Sequence, residues 1–141
     1  MTQYVINGRK PLSGKVRVGG AKNAILPALA AVLLTEKPVV LHDCPRLLDV
    51  EKTIMILKTI GCSVKRESRD LIIDPSNINS WIIPDSYVRE IRSSIIFLGS
   101  MLARMGRAQI TYPGGCEIGQ RPIDLHLKGL KQLGVVIDES N

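Results

Sequence analysis

Ile54-Met55-Ile56-Leu57-Lys58-Thr59-Ile60-Gly61 and, seventy-three residues further on, Leu127-Lys128-Gly129-Leu130-Lys131-Gln132-Leu133-Gly134 share one pattern: an apolar residue at every third position, then glycine. Such spacing predicts an amphipathic helix, and the glycine sits where the chain needs a left-handed cap before it turns into a strand. The recurrence extends upstream. A shift of 70 lays Ile25 on Ile95, Leu26 on Ile96, Val32 on Leu102 and Val40 on Ile110, and it lays Lys22 on Arg92. Two similar units are therefore expected, at about residues 22–75 and 86–141.

Within each unit the periodicity reads helix, strand, helix, strand. The first unit is expected to hold helices over Ala24–Leu34 and Asp49–Ile60, with strands at Val39–His42, Ser63–Arg66 and Leu71–Ile73. The second is expected to hold helices over Val88–Met105 and Ile123–Leu133, with strands at Ala108–Thr111 and Val135–Asp138. Asp74 to Asp85, rich in Pro, Ser and Asn, reads as the linker. This is an α/β (α+β) pattern. Units of this kind bury their sheet faces against further copies, so the expected architecture is a repeat fold left incomplete in this chain, with an exposed unit edge open to self-association.

At 141 residues, with 45% hydrophobic and 4% aromatic content, the chain supports one modest aliphatic core. Its longest apolar stretch, Ala24 to Leu34, is eleven residues with Pro27 inside it, well short of the roughly 20 that a membrane span needs. Cys44, Cys62 and Cys116 form no CxxC pair, and their spacing from His42 and His126 fits no common zinc pattern. No metal or cofactor is expected, and a reducing cytoplasm is. The net charge of +6 comes from basic residues scattered along the chain with no run of three and few aromatics between them. That arrangement offers poor stacking platforms, so a small anionic partner is a better expectation than nucleic acid or a membrane.

Gly19-Gly20-Ala21-Lys22-Asn23 precedes the first helix, so Lys22 and Asn23 are expected at its N-terminus, where free N–H groups and the helix dipole favour an anion. The plainer reading makes Asn23 an N-cap and Lys22 a solvated side chain. Arg92, the counterpart of Lys22, is expected inside the second long helix. Tyr112-Pro113-Gly114-Gly115-Cys116-Glu117-Ile118-Gly119-Gln120-Arg121-Pro122 carries three glycines and two prolines, which read as a loop with a thiol at its tip. A nearby arginine, Arg121, would favour the thiolate and make Cys116 a candidate acid or nucleophile, although an incidental free thiol fits too. Cys44 and Cys62 read as core residues. Asp49 and Asp124 each open an amphipathic helix and complement its dipole, and Asp124 also follows the thiol loop closely. His126 reads as structural.

Gly20-Ala21-Lys22-Asn23, Arg92-Ser93-Ser94-Ile95, Gly114-Gly115-Cys116-Glu117-Ile118-Gly119 and Arg121-Pro122-Ile123-Asp124-Leu125-His126 together resemble, in order and spacing, the UDP-N-acetylglucosamine enolpyruvyltransferase family. The resemblance implies a two-domain enzyme built from βαβαββ units in an inside-out α/β barrel, with its substrates between the domains. It implies that residues 1–21 pack with the second domain and that 22–141 hold two units of the first. The implied partners are phosphoenolpyruvate and UDP-N-acetylglucosamine. Lys22, Arg92 and Arg121 would then surround the anionic substrates, and Asn23 would contact the nucleotide sugar. Arg121, Pro122, Ile123, Asp124 and Leu125 would line the uridine site, while Cys116 would add to phosphoenolpyruvate, assist proton transfer and be alkylated by fosfomycin. Ser93 replaces an alanine frequent in that family. A shikimate-type enolpyruvyltransferase, or a non-catalytic module of similar repeat fold, is the alternative.

Overall fold

The computed structural model describes residues 3–112 and 122–139 and, of Arg92, the backbone only. Residues 3–18 form no helix or strand and are exposed, with Val5, Ile6, Val16 and Val18 each more than three-quarters accessible. Helix α1 follows at Lys22–Ala31 and tightens into a 3₁₀ turn at Val32–Leu34. Pro27 lies inside it and has no N–H to give, so the carbonyl of Asn23 lacks its helical partner.

Strand β1 (Val39–Leu41), helix α2 (Leu48–Thr59) and strands β2 (Ser63–Glu67) and β3 (Asp70–Asp74) complete the first unit. The sheet order is β1-β3-β2, with β3 antiparallel to both neighbours. Its register pairs Val40 with Ile72 and Lys65 with Ile72 on either side. Along β3 the burial alternates, so Leu71 and Ile73 face the core, as a half-covered sheet requires. Helix α2 packs on the sheet and α1 packs on α2; Leu29 of α1, Val50, Ile56 and Leu57 of α2 and Ile60 just after it are at most 1% exposed. Gly61 ends α2 at φ +109°, as the capping pattern anticipates.

The second unit departs from expectation in three places. The continuous helix expected over Val88–Met105 is instead α3 (Asp85–Glu90), a 3₁₀ turn at Arg92–Ile95 and α4 (Ile96–Met105). Ile91 breaks it: its backbone is extended (φ −129°, ψ 109°), its N–H closes α3 on the Tyr87 carbonyl, and its side chain is 2% exposed. Burying a β-branched side chain at that point outweighs the helical hydrogen bond that continuity would have supplied. The strand expected at Ala108–Thr111 shrinks to one parallel bridge between Ile82 and Gln109, fastened by Gln109 N–H to Trp81 C=O (2.8 Å) and Ile83 N–H to Gln109 C=O (3.0 Å). Its partner thus comes from the segment assigned to the linker. Val135–Asp138 forms no strand among the described residues, since a strand needs a neighbour to take its N–H and C=O groups.

Helix α5 (Asp124–Gln132) ends at Gly134, φ +90°, but buries none of its residues. Phe97 and Met101 of α4 and Val88 of α3 do enter the core, next to α1. No described helix is long and apolar enough to cross a membrane.

Candidate functional site

Lys22 is the first residue of α1, following Ala21 in extended conformation (φ −81°, ψ 128°). Arg92 likewise opens a helical segment after the extended Ile91. Each cation thus begins a helical run of more than ten residues, whereas Arg92 is expected mid-helix from the sequence. The two runs also point the same way. α1 packs on α4, and Arg104, in the last turn of α4, donates to Glu36 (2.8 Å) just beyond the far end of α1. Both cation-bearing starts consequently lie at one end of the pair.

Two side chains near the start of α2 pair with residues at or beside these starts. Lys22 Nζ donates to Asp49 Oδ2 at 2.9 Å, with the two side chains 48% and 36% exposed. One helical turn along, Lys52 Nζ reaches Glu90 Oε2 at 2.7 Å, and Glu90 stands two residues before Arg92. A cation at a helix N-terminus is opposed by the dipole, and the carboxylate of Asp49 offsets that. Asp49 had been read only as a partner of its own helix dipole. Nothing in the sequence ties it to a lysine 27 residues earlier.

The entry to α1 is held from below. A Cβ at Gly20 would lie 2.4 Å from the carbonyl oxygen of Asp43, so only glycine lets the chain approach there. The turn at Asp43 is itself anchored by β3: Asp70 Oδ1 accepts from the Asp43 N–H (3.0 Å), and Asp70 Oδ2 lies 2.8 Å from His42 Nδ1. These bonds, that of His42 first, hold the Asp70 carboxyl below its ordinary value. Arg69 Nε pairs with Asp43 (2.5 Å), and Arg66 donates to the Cys44 carbonyl (3.1 Å) and to Glu51 (2.6 Å). His42 is thereby structural. The doublet Gly19-Gly20 is the signal in the sequence for this close approach.

Asn23 is not an N-cap; that place belongs to Ala21, and Asn23 is exposed in the first turn of α1. Asp124 opens α5, with Pro122, Asp124 and Leu125 exposed and Ile123 half-buried. Among the described residues no hydrogen bond or ion pair joins Lys22 to Asp124 or Leu125. Cys116 and Arg121 lie outside the described residues. Cys44 and Cys62 are buried, as read. Burial raises the Cys44 thiol against the opposing pull of Arg66, and burial with the nearby Asp74 charge pushes Cys62 up to about 11. Neither suits a nucleophile. No group of three or more potential metal ligands occurs among the described residues.

A family model described as EPSP synthase (3-phosphoshikimate 1-carboxyvinyltransferase) matches residues 6–141. The chain is 54% identical over 99% of its length to UDP-N-acetylglucosamine 1-carboxyvinyltransferase 2 of Caldanaerobacter subterraneus subsp. tengcongensis. It is 44% identical over 97% of its length to UDP-N-acetylglucosamine 1-carboxyvinyltransferase of Yersinia pestis. The chain spans about a third of the length of these relatives, 34% and 33%. Among solved structures, the enolpyruvyl transferase NikO from Streptomyces tendae superposes with a TM-score of 0.74 at 23% identity, over 89% of this chain and 27% of that one. That likeness shows the fold.

Proposed function

The chain belongs to the EPSP synthase family, and from that premise we propose that it is part of an enzyme that transfers the enolpyruvyl group of phosphoenolpyruvate to the 3′-hydroxyl of UDP-N-acetylglucosamine, releasing phosphate, at the first committed step of peptidoglycan synthesis. The support is the identity with the two carboxyvinyltransferases along nearly the whole chain, together with Lys22 and Arg92 each opening a helical run. Two cations at adjacent helix starts combine side-chain charge with free N–H groups, which suits a ligand bearing both a phosphate and a carboxylate.

In this reading the sugar oxygen bonds to C2 of phosphoenolpyruvate while C3 takes a proton, and the hydroxyl proton leaves to a base. The tetrahedral adduct then loses phosphate as its C2–O bond breaks and C3 gives a proton back. Positive charge develops at C2 during addition, so fixed donors in a water-poor cleft are needed to hold the anionic groups. Lys22, Arg92 and Arg121 take that role, Asn23 meets the nucleotide sugar, and residues 121–125 line the uridine. Cys116 supplies the proton donor, and it is the residue fosfomycin would alkylate. The general base and a further phosphate-binding arginine are assigned to the second domain, with which residues 1–21 would pack. A cytoplasmic location, roles in cell shape and division, and self-association of the isolated chain through its open edge belong to the same reading.

A full-length protein carrying this chain should release phosphate from phosphoenolpyruvate with UDP-N-acetylglucosamine as acceptor and not with shikimate 3-phosphate. The 141-residue chain alone should release none, and Cys116→Ala should abolish the mass adduct left by fosfomycin. Turnover with the shikimate acceptor would transfer the protein to the other branch of its family.

A further inference from the structure

Lys22 and Arg92 are 70 residues apart. What spans the gap is the N-terminal part of α2. Asp49 and Lys52 are three residues apart and so project from one side of that helix. Asp49 reaches Lys22 at 2.9 Å, and Lys52 reaches Glu90, two residues before Arg92, at 2.7 Å. The tethers have opposite polarity: an acid holds the cation of the first unit, and a base holds the acid that precedes the cation of the second. The turn is itself fixed, because Val50 and Ile54 are buried and the Thr53 hydroxyl donates to the Asp49 carbonyl (2.7 Å).

We infer that Asp49 and Lys52 are positioning residues that hold the two cationic helix starts, at Lys22 and Arg92, in the mutual placement a doubly anionic ligand requires. This rests on the proposed function. Neither residue need touch the ligand. Without Asp49 the Lys22 ammonium has one freely rotating side chain to order when the ligand arrives, and that cost falls on the anionic substrate alone.

In the full-length protein, Asp49→Ala should raise KM for phosphoenolpyruvate about fivefold, the factor that an exposed ion pair can supply. kcat, KM for the nucleotide sugar and the melting temperature should stay within about twofold or a degree or so. Asp49→Glu should recover most of the loss. Lys52→Glu should raise the same KM, and adding Glu90→Lys should restore it. An unchanged or lowered KM for phosphoenolpyruvate in Asp49→Ala overturns the inference, because a carboxylate that merely competes with the ligand would give that result. Equal loss for both substrates with a fall in melting temperature overturns it as well, in favour of a packing role. A wild-type protein that turns over neither acceptor brings down the functional reading first, and with it any positioning role toward this substrate.

Discussion

Gly61 and Gly134 close corresponding helices at similar positive φ, yet one is built into a core and the other stands in the open. A Cβ at Gly61 would lie 2.4 Å from the carbonyl oxygen of Asn77, and the loop beyond folds back so that the Asn79 N–H bonds the Ile60 carbonyl (3.0 Å). At Gly134 nothing among the described residues lies within 4 Å of such a Cβ. The preceding apolar residue tells the same story: Ile60 is 0% exposed and Leu133 is 82% exposed. In the first unit, β2 and β3 return over α2 and bury its apolar face; in the second, no described strand does so for α5. A helix-forming pattern thus makes a helix in both units, but only tertiary cover turns that pattern into stability.

The sharpest way to break this comparison is a matched pair of truncations. Ile60→Ala should cost about 2–5 kcal/mol in urea unfolding, through lost burial and the cavity it leaves, while Leu133→Ala should cost less than about 0.5 kcal/mol. Equal costs would mean that α5 is covered after all.

Next in size are the two glycines. Gly134→Ala should cost about 1–2 kcal/mol for its backbone conformation alone. Gly61→Ala should exceed it, because the methyl group also meets backbone that cannot move aside without unfastening the 77–79 loop. A smaller loss at Gly61 than at Gly134 would contradict the packing described for the first unit.

The smallest effect concerns a thiol. Cys62 follows Gly61 as Val135 follows Gly134. Its folded-state value of about 11 is raised above the ordinary 9.0, so its stabilising contribution is whole below pH 9.0 and is lost as pH rises toward 11. The unfolding midpoint should therefore fall more steeply across that window in the wild-type chain than in Cys62→Ala. At pH 8 in the native state, Cys62 should also alkylate at least about tenfold more slowly than the thiol introduced by Val135→Cys. Similar rates would show that the two sites are equally covered.

The helices α1, α2 and α5, the hairpin strands, the two glycine caps and the buried thiols Cys44 and Cys62 were all legible in the order of residues. Each rests on local spacing, which a linear pattern records directly. The break at Ile91 was not, because a β-branched residue in an apolar run fits a buried helix or a buried turn equally well. Nor were the reduction of Ala108–Thr111 to a single bridge with Ile82 and the approach of Gly20 to Asp43. The Asp49 and Lys52 tethers were equally invisible, since an ion pair across 27 or 38 positions leaves no periodicity behind it. The sequence by itself determined the elements of residues 22–75 and helix α5 with its glycine cap. Only the tertiary structure decided which faces are covered and which charges meet, because burial and pairing depend on what the rest of the chain brings alongside.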